Sequence, residues 1–506
     1  MASPKAVSLE FKRELGLHTN IEDINHPIVE NTPFHFKFFQ ITDEVENTLY
    51  QTLDRFLLQL DLIIVRDSVL AAMKETVTNA IKANAKRVFF KNNSTDITDE
   101  KEYESIINEF KSTYIENRDE IEESLQKNNY GVFVSFIHNR SLMRIRIMNN
   151  VQLTPIEAER IKERISKAKT YNDLADAFMD MSNDQEGAGL GLIMTLMMLK
   201  NDGLGESAFK FESGENKTVF MIDIPAKVSK ENQQLEKIDH IVSQIDNLPT
   251  FPKSIKDIQD AIDKPNSSIG TIAEMIKRDI ALSANILKLS NSAAFRRGGR
   301  VESLDRAIQL IGLKELQTLL YSLATKQMLE DKFPAFTAIW EKSNESAFYC
   351  KSIGQRMDLN KSDLSNLIAA SLLHDIGEIL LLSFDKHHMN KIKTFSTTRE
   401  IASTISMEES AIGITHSKLG AMVGEKWGFP ILYTKAMEYH HRPLLVDDVY
   451  IDIIYPIYLS DMMIAINAKE AKSSEIPAEI LKVCKFQSKS EFDSFRTKIK
   501  EQYSAD

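Results

Sequence analysis

Cysteine is nearly absent: Cys350 and Cys484 are the only two in 506 residues. They form neither a metal-binding spacing nor a disulfide framework, which excludes a small disulfide-held scaffold and agrees with a reducing compartment. A basic excess is lacking too. Lys and Arg number 62 against 73 Asp and Glu, a net charge of -11, so the gain from counterion release that drives phosphate-backbone binding is missing. Nucleic acid is not the expected partner. No stretch approaches the ~18 uninterrupted apolar residues of a membrane span. Met1-Ala-Ser-Pro-Lys-Ala-Val-Ser-Leu-Glu10 also lacks the charged start and apolar centre of a signal peptide. The expected location is the cytoplasm. With 43% hydrophobic and 27% charged residues, the composition is that of a globular protein, and the length predicts two or three domains.

Residues 1–40 contain Pro4, Pro27 and Pro33 and little periodicity, which predicts an irregular lead-in with a strand near His35-Phe-Lys-Phe-Phe39. Apolar spacing then predicts helices from Asp43 and from Arg66 to Ala85, the second burying Val69, Met73, Val77 and Ile81. Glu75, Asn79 and Lys82, four and three residues apart, share another side of that helix. Spacing alone leaves them a solvated face or a binding face. Lys91 to Asn129 reads as a charged helical insertion. The strand Met143-Arg-Ile-Arg-Ile-Met148 runs into Asn149-Asn-Val-Gln-Leu153. In Glu186-Gly-Ala-Gly-Leu-Gly-Leu-Ile-Met194, Gly187, Gly189 and Gly191 precede a helix start, where backbone amides can approach a phosphate. Ala208 to Glu212 and Lys217 to Pro225 read as a hairpin.

The segment Lys74-Glu-Thr-Val-Thr-Asn-Ala-Ile-Lys82 resembles the N-box of the GHKL ATPases, and its wording is closest to the anti-sigma-factor serine kinases. The resemblance implies an α/β sandwich over residues 41–227 that binds ATP with magnesium. Asn79 would hold the magnesium and Glu75 would act as base, with Lys82, Asn149 and the three glycines completing the nucleotide site. One part departs from the family. Its Asp-x-Gly-x-Gly segment is replaced by Asn149, Val151 and Leu153; an amide oxygen still accepts from an exocyclic amine, but branched side chains at glycine positions obstruct the base.

After Pro225 the chain turns polar, which predicts a linker over 228–237. The short amphipathic helices that follow, from Leu248-Pro-Thr-Phe-Pro-Lys-Ser-Ile255 through Ala307-Ile-Gln-Leu-Ile-Gly-Leu313, resemble the HDOD domain, the HD-related output domain of bacterial signalling proteins, over residues 238–470. At its centre lies Ala369-Ala-Ser-Leu-Leu-His-Asp-Ile-Gly-Glu-Ile-Leu-Leu-Leu382, read as one helix. An unpartnered buried Asp375 would cost several kcal/mol, so the pair calls for a divalent metal or for mutual hydrogen bonding. His416, His440, His441 and Asp461 enlarge the donor set, which in the related HD-GYP phosphodiesterases holds one or two metals. Lys342 stands where a hydrolase presents its first ligand histidine, and no Gly-Tyr-Pro signature follows His441. The resemblance therefore implies a non-catalytic surface for a protein partner, with a degenerate metal site at His374, Asp375, His416, His440 and Asp461.

Arg296-Arg-Gly-Gly-Arg300 reads as a solvated turn or a phosphate contact. The tail 471–506 reads as a docking helix or a dimerisation element. The expected protein is an α+β multidomain regulator: a GHKL-type sandwich, nucleotide-sensing or degenerate, controls an all-α HDOD domain. The alternatives are an ATP-dependent serine kinase of the anti-sigma-factor type and a metal-dependent HD-type phosphodiesterase.

Overall fold

Alternation in Phe34-His-Phe-Lys-Phe38 puts three phenylalanines on one face of the first strand, β1 (Phe34–Phe38), and that face is the buried one. The computed structural model describes residues 33–97, 190–214, 216–228, 250–292, 300–330, 332–399 and 404–505, most of 102–171, and the single positions 177, 245 and 248. It divides into two units, residues 1–232 and 233–506. The glycine run before Leu190 and the basic loop up to Gly299 lie outside the described residues.

In the first unit β1 is followed by α1 (Asp43–Gln59) and α2 (Arg66–Asn92), then α3 (Arg118–Lys127), β2 (Val132–His138) and β3 (Leu142–Asn149). After them come α4 (Pro155–Thr170), α5 (Leu190–Leu199), β4 (Phe209–Gly214) and β5 (Lys217–Pro225). The strands form one sheet in the order β1-β2-β3-β5-β4, antiparallel throughout. In β3, Met143, Ile145, Ile147 and Asn149 are buried while Leu142, Arg144, Arg146 and Met148 face outward, the mark of a sheet covered on one side. That covered side shares a core with Phe56 of α1 and with Val69, Met73 and Ile81 of α2. On the other side Arg144 pairs with Asp223 across strands at 2.6 Å, and Lys210 joins at 3.0 Å. α2 runs seven residues beyond the expected Ala85, to Asn92, because Val88, Phe89 and Phe90 remain buried.

The turn after β3 is fastened to α2. Thr154 and Glu157 form a capping box with Pro155 in the first turn of α4. The Glu157 carboxylate also accepts from Lys86 at 2.7 Å and from Arg87, which in turn donates to the Gln152 carbonyl at 2.8 Å.

The second unit is helical in its described residues. Its helices are α6 (Lys253–Ile262), α7 (Ile269–Lys277), α8 (Ile280–Ser290), α9 (Leu304–Ile311), α10 (Leu313–Leu329), α11 (Phe336–Arg356), α12 (Lys361–Leu373) and α13 (Ile376–Phe384). These are followed by α14 (Lys386–Arg399), α15 (Ile405–Ala411), α16 (His416–Lys426), α17 (Ile431–Tyr439), α18 (Ile451–Asn467), α19 (Ala478–Val483) and α20 (Lys489–Ala505). Ser268, Asp279, Ser303, Asn360 and Thr415 each accept a backbone N–H as N-cap, which explains the repeated short starts.

The tail docks on its own unit: Phe486 and Phe492 are buried, and Arg356 lies 4.3 Å over the Phe486 ring while donating to the Lys485 carbonyl. Two stretches, Lys361–Phe384 and Asp448–Asn467, are long and apolar enough on average to cross a bilayer, though neither is an uninterrupted apolar run. Most of the apolar window in each is buried, 78% and 61% of it, within the helical unit.

Burial opposes the charge on Glu157, but hydrogen bonds and charges from Arg87 and Lys86 hold its carboxyl at about 2, below its ordinary 4.5. A depressed carboxylate stabilises the fold fully above the unfolded value, and that stabilisation is lost as pH falls toward the folded one. Glu157→Gln is expected to lower the unfolding free energy at neutral pH by about 2–3 kcal/mol. Urea denaturation of both chains checks this, and the gap should narrow as the pH is lowered from neutral toward the folded value.

Candidate functional site

The apolar segment around the His-Asp pair folds as two helices rather than the single one expected. α12 ends with His374 as C-cap, and Asp375 is the N-cap of α13. The interruption lies beside a tertiary contact. A methyl group on Gly377 would lie 1.8 Å from the His416 carbonyl oxygen and 2.6 Å from the Gly420 nitrogen. α13 and α16 therefore meet in backbone contact, permitted by a glycine on each, and the crossing carries His416 onto Asp375.

Each imidazole is aimed by a partner behind it. His374 Nδ1 donates to the Ser371 carbonyl at 2.7 Å, and His440 Nδ1 donates to the Met437 carbonyl at 2.8 Å. His416 donates from its backbone N–H at 2.7 Å and from Nδ1 at 2.9 Å to the buried Glu408, which also accepts from the Thr404 hydroxyl at 2.6 Å. Carbonyls and carboxylates only accept, so all three Nδ1 atoms carry protons and the Nε2 atoms face inward.

His374 Nε2 lies 3.2 Å from both Asp375 Oδ2 and Asp461 Oδ1. His440 and His416 Nε2 lie 3.4 and 3.7 Å from Asp375 Oδ1 and 3.2 Å from one another. Two overlapping groups, Asp375-His416-His440-His441 and His374-His440-Asp461, each bring their donor atoms within 4.8 Å. Imidazoles and carboxylates so placed, with Nδ1 held from outside, suit a divalent transition metal. His374 Nε2, Asp375 Oδ1 and both Asp461 oxygens have no hydrogen-bond partner among the described residues.

A cation is already there. Lys342 of α11 places Nζ 2.8 Å from Asp375 Oδ2 and 3.8 Å from Glu378 Oε2. Burial disfavours its charge, but Asp375, Glu378 and Asp461 hold it protonated well above the ordinary lysine range. Burial likewise opposes charging of His374, which Asp375 and Asp461 nevertheless raise well above the usual imidazole value. His416 overcomes burial through Glu408 and rises to about 9. Burial pushes His440 and His441 down, so both stay neutral. Asp375 and Glu408, despite burial, are held low by their cationic neighbours. Lys342, His374 and His416 are thus held charged by the carboxyl groups around them, Asp375, Glu378, Asp461 and Glu408. The donors fit a metal, but the complete cluster does not, because the ammonium occupies an oxygen of the carboxylate that joins the donor set.

Of the candidates in the first unit, the structure joins some. Asn79 Nδ2 donates to Glu75 Oε1 at 3.1 Å on the exposed side of α2. The backbone at Gly191 touches that carboxylate so closely that a methyl there would lie 2.3 Å from Glu75 Oε1. Asn149 is not part of this group. It is buried, and its amide donates to the Ala80 carbonyl at 3.4 Å and to Asn84 Oδ1 at 3.1 Å, while its Oδ1 has no partner among the described residues. Asn84 and Glu408 were not anticipated from the sequence, since nothing in their local spacing marks them. Lys82 is exposed. Gly187 and Gly189 lie outside the described residues.

The helical second unit carries a His-Asp junction ringed by further imidazoles and carboxylates. Residues 248–443 match the HDOD domain family. An uncharacterized protein of Treponema pallidum (strain Nichols) is 26% identical over 442 residues, 87% of this chain and 86% of its own length. That span exceeds the helical unit and so reaches into the first. The crystal structure of an HDOD domain protein with unknown function from Geobacter sulfurreducens has a TM-score of 0.44 at 20% identity, covering 54% of this chain and 96% of its own. A Shewanella amazonensis crystal structure, named only provisionally as a phosphohydrolase, has a TM-score of 0.40 at 22% identity and covers 51% and 93%.

Gly377→Ala is expected to lower stability by about 3 kcal/mol or more, since the added carbon meets backbone that has no room to move. Thermal unfolding of the full-length protein checks this. A melting temperature equal to the parent's would contradict the crossing.

Proposed function

We propose that the chain is a bacterial signal-transduction regulator whose HDOD unit recruits a protein partner without hydrolysing a substrate. A GHKL-like, nucleotide-responsive first unit would control it. The observation that carries this reading is the Lys342-Asp375 ion pair at 2.8 Å. Phosphodiester hydrolysis at an HD-type centre uses metal ions to polarise the phosphoryl oxygen and generate the nucleophile, and here an ammonium is bound to the carboxylate that belongs to the donor set.

Three features support a nucleotide role for the first unit: the Glu75-Asn79 pair, the approach of Gly191 to Glu75, and the buried amide oxygen of Asn149 that has no partner among the described residues. A nucleotide controls the output only by binding two states of the protein with different affinity. The unpartnered atoms of His374, Asp375 and Asp461 favour a second reading, a metal-dependent phosphodiesterase. Phosphate transfer to a partner protein, lost in Glu75→Ala, would instead identify a serine kinase.

Full-length protein incubated with manganese and bis(p-nitrophenyl) phosphate is expected to release no more nitrophenol than a His374→Ala control. Turnover abolished by that substitution would overturn the non-hydrolytic reading. Titration with magnesium and a non-hydrolysable ATP analogue is expected to give binding heat that Asn79→Ala removes, and no heat from the parent would remove the nucleotide half of the proposal.

A further inference from the structure

We infer that Lys342 is a tethered counter-cation holding closed a metal site that is otherwise fully built, so that removing its charge converts the cluster into a divalent-metal site. This rests on the non-hydrolytic reading above and names what keeps the site in that state.

Three observations carry it. First, the donors are already oriented. The Nδ1 atoms of His374, His416 and His440 are committed to the Ser371 carbonyl, the Glu408 carboxylate and the Met437 carbonyl. Their Nε2 atoms therefore converge with no rotation left to order, as outer partners arrange for metal-binding histidines, and an entering ion takes the place of the Nε2 protons of His374 and His416. Second, Lys342 satisfies Asp375 Oδ2, while Asp375 Oδ1 and both Asp461 oxygens accept no hydrogen bond among the described residues. A point charge on a flexible stem balances the cluster while using one of its acceptors, whereas a metal ion would take several of them at once. Third, the lysine reaches in from the surface. Its side chain is 35% exposed and the Asp375 side chain 1%, so Lys342 spans from solvent to the buried carboxylate, and an ion taken up by Asp375 with His416 and His440 meets an ammonium on the same carboxylate.

Charge and donor number act together. An ion joining Asp375 to His416 and His440 in the parent is repelled by the ammonium held 2.8 Å from the other oxygen of that carboxylate. Lys342→His removes the obligatory charge and offers an imidazole from the same helix; Lys342→Met removes the charge at similar length and adds no strong donor; Lys342→Arg retains it.

The test uses full-length protein stripped with EDTA and dialysed, then titrated separately with zinc chloride and manganese chloride. Bound metal is read by plasma mass spectrometry and folding by circular dichroism and thermal melting. Lys342→His is expected to take up roughly one ion per chain, at least about tenfold more tightly than the parent, with a melting temperature raised by metal and returned by EDTA. Lys342→Met should fall between the two, and Lys342→Arg should match the parent. Folded Lys342→His that binds no metal overturns the inference, as does a parent that binds with the variant's affinity. If Lys342→His does not fold, Lys342→Met decides: tighter binding than the parent supports the inference and equal binding overturns it. Hydrolysis by the parent would sink the proposed function by itself, because the ratio of affinities is measured without any substrate.

Discussion

Burial of the Asp375 carboxylate is the constraint around which the helical unit is arranged. A carboxylate 1% exposed is tolerable only with compensation from several directions. The chain supplies it from α11 through Lys342, from the end of α12 through His374, and from α16 and α17 through His416 and His440. Glu408 provides the next layer, balancing His416 as Asp375 is balanced by Lys342. A buried network of this kind stabilises only when each member is matched, and losing one partner costs far more than the pair gained. Four atoms without hydrogen bonds show where the matching is electrostatic rather than directional.

The backbone crossing of α13 and α16 makes that arrangement possible. Helix axes ordinarily stay apart by the width of their side chains, and the glycines at 377 and 420 remove that spacing at one point. The break after α12 lies beside it, at His374 and Asp375. The site and the break in the helix thus sit together at one packing contact, and no other residue type at 377 leaves room for it.

Much of this was legible in the residues and some was not. Alternation in Phe34–Phe38 and Leu142–Asn149 and helical spacing in α2 are local signals, and the elements follow them. The donor types at 374, 375, 416, 440 and 461, with Lys342 opposing them, could also be read, since chemistry needs no coordinates. The helix junction could not, because an uninterrupted apolar run looks the same whether or not another helix crosses it. Glu408 and Asn84 escaped notice for a related reason: a buried polar residue is recognised by its partners, and His416, Gly131 and Asn149 are remote from any spacing rule. Asn149 was read as a ligand-facing substitute for a carboxylate. It also ties β3 to α2, a structural task that spacing does not separate from binding.

A metal ion is subject to mass action: its occupancy follows the free concentration around the protein, and a core that depends on it inherits that concentration as a term in its stability. Lys342 is joined to the chain by covalent bonds. It cannot be diluted, chelated or exchanged for a competing ion, so the positive charge beside Asp375 is present in every folded copy whatever the surrounding metal supply.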